Sequence, residues 1–303
     1  MQARRVLLAC GIAAAVATGG IAVMADDRDD AGAAAALAPA PAPPSLAQVV
    51  AAGTQWRLDL AGGPVRVWVP PGYHPDGAAT IVYVHGYYTD LDKAWVDYRL
   101  AEQFALSAAN AVFIAPEAPS GSRQRVHWPS LGELLVETFG ATGVARPMGP
   151  VVAIGHSGAY RTLFTWMDYP DLDLIVAFDA MYGEVETWRA WLDASPAHRL
   201  IVVGDDTARW TEELARDLGD DVVTLDRFPD LDVELAAAIA DAPHARVLYV
   251  RSQFGHMPLV TEGIALPIVT RLAPVTLLPD GPWQAPLGLP AREASAPAGP
   301  SRR

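Results

Sequence analysis

Residues 151–159 read Val151-Val152-Ala153-Ile154-Gly155-His156-Ser157-Gly158-Ala159, an apolar run that ends in a serine held between two glycines. A short continuous apolar run is what a strand covered on both faces looks like. Helical patterning begins at Tyr160, so Ser157 falls on a strand-to-helix turn. A turn that sharp needs small neighbours, because the helix must pack close to the strand it leaves. It also presents the serine hydroxyl outward, with the positive end of the helix dipole beneath it. Ala159, the residue after the second glycine, is also small.

The same pattern recurs on both sides of this stretch. Trp56–Leu60 and Val65–Val69, joined through Ala61-Gly62-Gly63-Pro64, predict a starting hairpin. Thr80–Val84, Ala111–Ala115, Leu174–Phe178, Leu200–Val203 and Arg246–Val250 are further short apolar runs. Amphipathic stretches separate them: Leu91–Ala109, Leu131–Phe139, Ala159–Met167, Val185–Leu192, Arg209–Leu218 and a last helix near Thr261–Leu272. Alternation of this kind predicts a three-layer α/β/α sandwich around a mostly parallel central sheet. Ligands of such sheets bind beyond the carboxyl ends of the strands, so those ends are where chemistry is expected.

One of them carries Ile81-Val82-Tyr83-Val84-His85-Gly86-Tyr87, a strand ending in His-Gly about seventy residues before Ser157. Together with the glycine-flanked serine, this stretch makes residues 55–275 resemble the α/β-hydrolase family. The resemblance implies an α/β-hydrolase fold and an oxyanion hole made by the backbone amides of Tyr87 and Gly158. His85 is read as an organiser of its loop, and Tyr87 and Tyr88 as walls of a substrate pocket. The resemblance also places a general base in the loop after the last main strand. His256, in Gln253-Phe254-Gly255-His256-Met257, occupies that place. A serine hydroxyl is a poor nucleophile at neutral pH, so a neutral imidazole must take its proton. His156 flanks the serine and is read as shaping the turn.

The acid that orients His256 is open between two strand ends. The family's usual position, three residues after Gly204, is Thr207, with Asp205 and Asp206 just short of it. One strand earlier, Ile175-Val176-Ala177-Phe178 runs straight into Asp179. A carboxylate closing an apolar run is costly to bury without a partner, so Asp179 is favoured and Asp206 is the alternative acid. Trp128 and Met257 join Tyr88 as candidate substrate contacts, and Arg125 and Arg161 are weighed beside them. The segment between Gly183 and His198 holds a single helix, which predicts no large lid domain and an open site suited to bulky or polymeric esters.

The net charge of −13 over 303 residues argues against nucleic-acid partners, since an acidic surface repels phosphate backbones. It becomes about −15 once residues 1–25, with Arg4 and Arg5, are set aside. Those 25 residues read as a signal peptide or an uncleaved N-terminal membrane anchor, so export to the periplasm, the exterior or an outward-facing membrane position is expected. Residues 26–47 form an Ala/Pro-rich linker, 48–275 the α/β-hydrolase domain, and 276–303 a Pro-rich tail expected to be disordered. The one cysteine, Cys10, precedes the domain and allows no intrachain disulfide there. No metal-ligand spacing and no phosphate-cradling glycine loop is present, so no metal and no cofactor is expected.

The expectation is an exported serine hydrolase that cleaves carboxylic esters with Ser157, His256 and an aspartate. The same triad serves a serine peptidase or amidase, and the fold also serves as a non-catalytic envelope binding domain.

Overall fold

The computed structural model describes residues 44–229 and 245–278. The predicted signal or anchor, most of the linker, residues 230–244 of the predicted domain and the tail from 279 lie outside the described residues. No helix among the described residues is long and apolar enough to cross a membrane.

The strands are β1 (Thr54–Leu60), β2 (Gly63–Val69), β3 (Ala79–Val84), β4 (Ala111–Pro116), β5 (Val151–His156), β6 (Leu172–Phe178), β7 (Arg199–Gly204), β8 (Val222–Leu225) and β9 (Val247–Arg251). They form one sheet in the order β1-β2-β4-β3-β5-β6-β7-β9-β8. The β1–β2 hairpin and the β2–β4 pair are antiparallel, and every other neighbouring pair is parallel. Gly63 takes a φ of 132° at the hairpin turn, a region closed to residues with a Cβ.

The helices are α1 (Leu46–Ala52), α2 (Leu91–Asp97), α3 (Leu100–Ser107), α4 (Leu131–Thr142), α5 (Tyr160–Trp166), α6 (Val185–Ala194), α7 (Ala208–Leu218), α8 (Pro258–Thr261) and α9 (Ala265–Leu272). Successive side chains of a strand point to opposite faces, and the core divides accordingly. Ile81, Tyr83, Phe113, Val152 and Ile154 pack with α1, α2, α3 and α9 on one face. Val82, Val84, Ile114, Val151 and Ala153 pack with α4, α5, α6 and α7 on the other. Each such fully buried aliphatic or aromatic side chain contributes roughly 1.5–3 kcal/mol relative to exposure. That two-sided burial is why the strands read as unbroken apolar runs.

Several expectations need correction. The stretch Leu91–Ala109 is two helices, because Arg99 adopts φ 53° between them. The last helix likewise breaks, at Gly263 with φ 81°. Ordered chain starts before residue 48: Ser45 caps α1, accepting from the Gln48 amide while the Gln48 side chain takes the Ser45 N–H. It also continues past 275, since the Asn110 amide donates to Thr276 O at 2.8 Å and the Leu278 amide to Ala108 O at 2.7 Å. Strand β8 was not anticipated; it is a partly exposed sheet edge of four residues.

Candidate active site

Five strand ends converge on one edge of the sheet. β3 delivers His85 to Tyr87, β5 delivers Ser157, β6 Asp179, β7 Asp205 to Thr207, and the loop after β9 delivers His256. Ser157 sits at φ 54° and begins a single 3-10 turn, Ser157–Ala159, that leads into α5. A serine held in the left-handed region is strained, a conformation that persists only where surrounding packing enforces it. That packing is visible at the glycines. A Cβ on Gly155 would lie 2.7 Å from Leu163 Cδ1, and one on Gly158 2.5 Å from the Tyr87 ring. With this turn at the end of the fifth strand of that strand order, the architecture is decided.

The fold is that of the α/β-hydrolases.

No protein-family model matches the chain, and neither does any curated protein. Solved structures do. A ferulic acid esterase aligns over 73% of this chain and 97% of its own at 12% identity, with a TM-score of 0.47. A dienelactone hydrolase from Anabaena variabilis aligns over 73% and 95% at 15% identity, with a TM-score of 0.42. An S-formylglutathione hydrolase from Agrobacterium tumefaciens aligns over 68% and 89% at 10% identity, with a TM-score of 0.43.

Within this α/β-hydrolase fold, the structure brings His256 and Asp179 together. Nδ1 of His256 lies 2.6 Å from Oδ2 of Asp179. Asp179 is fully buried. Its Oδ1 accepts from the Asp205 amide at 2.9 Å, the Thr207 amide at 2.8 Å and the Thr207 hydroxyl at 2.7 Å, and Oδ2 accepts from the Asp206 amide at 3.2 Å. Burial by itself raises the pKa of this carboxyl, but the hydrogen bonds from His256, Asp205 and Thr207 outweigh it and hold the group well below the carboxylate range. Asp206, the alternative acid, is 64% exposed, and its carboxylate stands 3.9 Å from Nδ1. Asp205 lies beside the histidine loop, its Oδ2 3.6 Å from where a Cβ on Gly255 would stand.

The hydrogen bond to Asp179 is also what raises the His256 pKa above the usual histidine value, with smaller coulombic help from Asp179, Asp206 and Asp205 against the opposing effect of burial. An ionised Asp179 accepting from Nδ1–H leaves the Nε2 lone pair directed away from the acid. Any reaction that needs this lone pair is therefore expected to slow as pH drops through a value above 6.5, the unperturbed histidine pKa. The acid limb of a kcat/KM–pH profile measures it, and Asp179→Asn should displace that limb downward.

Ser157, Gly158, Tyr87 and His256 share a cavity of about 550 Å³. The Tyr87 ring lies against Gly158, so the two residues expected to supply oxyanion donors are in contact. Neighbouring amides are committed elsewhere: Tyr88 N–H donates to Ser120 O at 2.9 Å, and Tyr160 N–H to Ser157 O. His85 is buried, its ring meeting Gly86 O at 2.7 Å, Glu117 Oε1 at 3.0 Å and the Ala118 amide at 3.1 Å. Glu117 also accepts from the Leu91 amide at 3.1 Å, so the pair fixes both ends of the loop that carries Tyr87. His156 is buried beside His256 with ring centroids 4.6 Å apart, and its Nε2 donates to His256 O at 3.1 Å. Burial first, and the His256 charge second, push its pKa down to about 3, so it stays neutral.

Tyr88, 93% exposed, and Met257, 44% exposed, both line the cavity. Trp128 does not, and its reading as a substrate contact is corrected. It is buried in the core, its indole packs against Gly62 of the hairpin turn, and its carbonyl accepts from Trp166 Nε1 at 2.7 Å. Arg125 faces a separate shallow depression beside Gly62 and His127. Arg161 clamps a loop, donating to Ser122 O at 2.8 Å and Gln124 O at 3.0 Å.

Two contributors escaped the sequence reading. Thr207, where the family usually has the acid, instead gives that acid two hydrogen bonds. Tyr182 sits three residues past Asp179 and lines the cavity with Ser157; burial raises its phenol pKa. Oxygen and nitrogen atoms of Asp179, Asp206 and His256 lie within 4.8 Å of one another, the spacing of a metal site. Both Asp179 oxygens are already engaged by N–H and O–H donors, which suits a hydrogen-bonded acid better than a ligand. Among the described residues only α6 fills the stretch from Gly183 to His198, and no lid domain stands over the cavity.

Proposed function

We propose that the chain is a serine hydrolase that cleaves carboxylic esters through an acyl-enzyme, and that it works outside the cytoplasm. The observation that carries the chemistry is the 2.6 Å His256–Asp179 contact beside a strained Ser157 in one cavity. Ser157 Oγ attacks the ester carbonyl carbon while its proton passes to Nε2 of His256. Asp179 stabilises the imidazolium without taking the proton. The carbonyl oxygen becomes an oxyanion held by the Tyr87 and Gly158 amides, each such donor being worth roughly 3–4 kcal/mol of barrier. Collapse of the tetrahedral intermediate expels the alcohol, which takes the proton from His256. Water, deprotonated by His256, then attacks the acyl-enzyme and releases the acid. The reading outside the cytoplasm is supported by the N-terminal sequence alone, with Arg4-Arg5 preceding an uncharged run to Ala25.

A fluorophosphonate probe tests the chemistry. Labelling is expected at Ser157, located by mass spectrometry, and is expected to vanish in His256→Ala. A folded protein that takes no label would sink the enzyme reading and leave the binding-domain alternative.

A further inference from the structure

Resting on that reading, we infer that the site selects esters bearing an uncharged aromatic ring. Five tyrosines, Tyr87, Tyr88, Tyr98, Tyr160 and Tyr182, line the 550 Å³ cavity together with Met257. They come from separate parts of the chain, the loop after β3, the end of α2, the start of α5 and the loop after β6, yet all meet around Ser157. Among the described residues lining it there is no lysine, arginine, aspartate or glutamate. A substrate carboxylate or ammonium would lose its hydration there and gain no counter-charge, a cost that disfavours charged esters.

The ring geometry favours aromatic over merely apolar cargo. Tyr160 and Tyr182 are 5.9 Å apart at 41°, Tyr87 and Tyr88 are 6.4 Å apart at 86°, and Tyr182 meets His256 at 6.5 Å and 76°. Rings set at these angles present both faces and edges, which is how aromatic groups bind one another beyond simple area burial. Met257 adds a polarizable sulfur at the mouth. Tyr98 is only 6% exposed and forms a fixed floor, whereas Tyr88 is almost fully solvated and stands at the rim. Burial raises the Tyr160 and Tyr182 phenol pKa values, which keeps these two rings neutral.

The experiment compares each aromatic ester with its saturated counterpart of like shape, using the full chain and pH-stat detection. The pairs are methyl 3-phenylpropanoate against methyl 3-cyclohexylpropanoate, and 2-phenylethyl acetate against 2-cyclohexylethyl acetate. In at least one pair kcat/KM should favour the phenyl compound by roughly tenfold, the worth of one or two aromatic contacts. The pair that responds tells whether the ring sits on the acyl or the alcohol side. Monomethyl glutarate, with its free carboxylate, should be the slowest. Tyr160→Leu and the rim variant Tyr88→Ala should draw the phenyl-to-cyclohexyl ratio towards one. Equal rates in both pairs, or a preference for monomethyl glutarate, with Ser157 still taking the fluorophosphonate label, would overturn the selectivity and leave the hydrolase standing. Loss of the label would overturn both.

Discussion

Asp179→Asn is expected to lower kcat by about four orders of magnitude, while Asp206→Asn changes it about threefold or less. The difference follows from where hydrogens must go. Oδ1 of Asp179 accepts three donors, two amides and the Thr207 hydroxyl, all within 2.9 Å. An asparagine in that place must keep its carbonyl oxygen there, since an NH₂ group would oppose all three. Its NH₂ is then forced into the position of Oδ2, facing Nδ1 of His256 across 2.6 Å. Nδ1 must now accept, the proton moves to Nε2, and the ring nitrogen that should take the Ser157 proton already carries one. The fold survives, because three of the five hydrogen bonds remain. Asp206 offers no such lever: it is 64% exposed, its oxygen is 3.9 Å away, and solvent screens it. Steady-state kcat on a small ester, with circular dichroism as the control for folding, separates the two variants. A large loss in Asp206→Asn with little in Asp179→Asn would assign the acid to the other strand.

That contrast also marks what the chain makes legible and what it hides. Strands β3 to β7 and β9 were readable because burial on both faces makes them nearly unbroken apolar runs, whereas β8, a partly exposed edge, was not. Ser157 was readable for a related reason: Gly155 and Gly158 stand where a Cβ would strike Leu163 or Tyr87. Asp179 stood out as a charge closing the apolar run of β6. What made it the partner of His256 was not readable, because the decisive donors come from Asp205, Asp206 and Thr207, one strand further on and some 26–28 residues away. Thr207 looked like a missing acid until the structure showed its hydroxyl serving one. Trp128 misled in the opposite direction. An aromatic in a loop near strand ends fits a pocket wall and a core residue equally well, and only the position of the hairpin turn decides between them. The break at Arg99 leaves no trace in the sequence, since neither glycine nor proline marks it. The five tyrosines of the cavity are scattered from residue 87 to residue 182, so only folding makes them a wall.

Gly86→Ala is the variant that separates the proposed oxyanion loop from the proposed triad, and it is expected to cost roughly 10²–10³ in kcat with little change in KM. A Cβ at this position would lie 2.9 Å from Ser157 Cβ, 3.0 Å from His156 O and 3.2 Å from His156 Nδ1. None of these can step aside. The carbonyl belongs to the last residue of β5, Ser157 is already held at φ 54°, and His156 is buried with its Nε2 bound to His256 O. The loop must therefore yield, and a displacement of a few tenths of an ångström would carry the Tyr87 amide off the oxyanion it is proposed to hold. Preorganised donors act through position, so a small shift at this point is costly while the rest of the fold is undisturbed. Gly158→Ala should act on the same loop through the Tyr87 ring, whose Cδ1, Cε1 and Cγ it would meet at 2.5–2.6 Å. Gly121→Ala, with nothing within 4 Å of the added methyl, serves as the neutral comparison. Parallel kcat and KM measurements on the three variants test the contrast. Wild-type kcat in Gly86→Ala would mean that the Tyr87 amide plays no part, and that the oxyanion is held by Gly158 with some other donor.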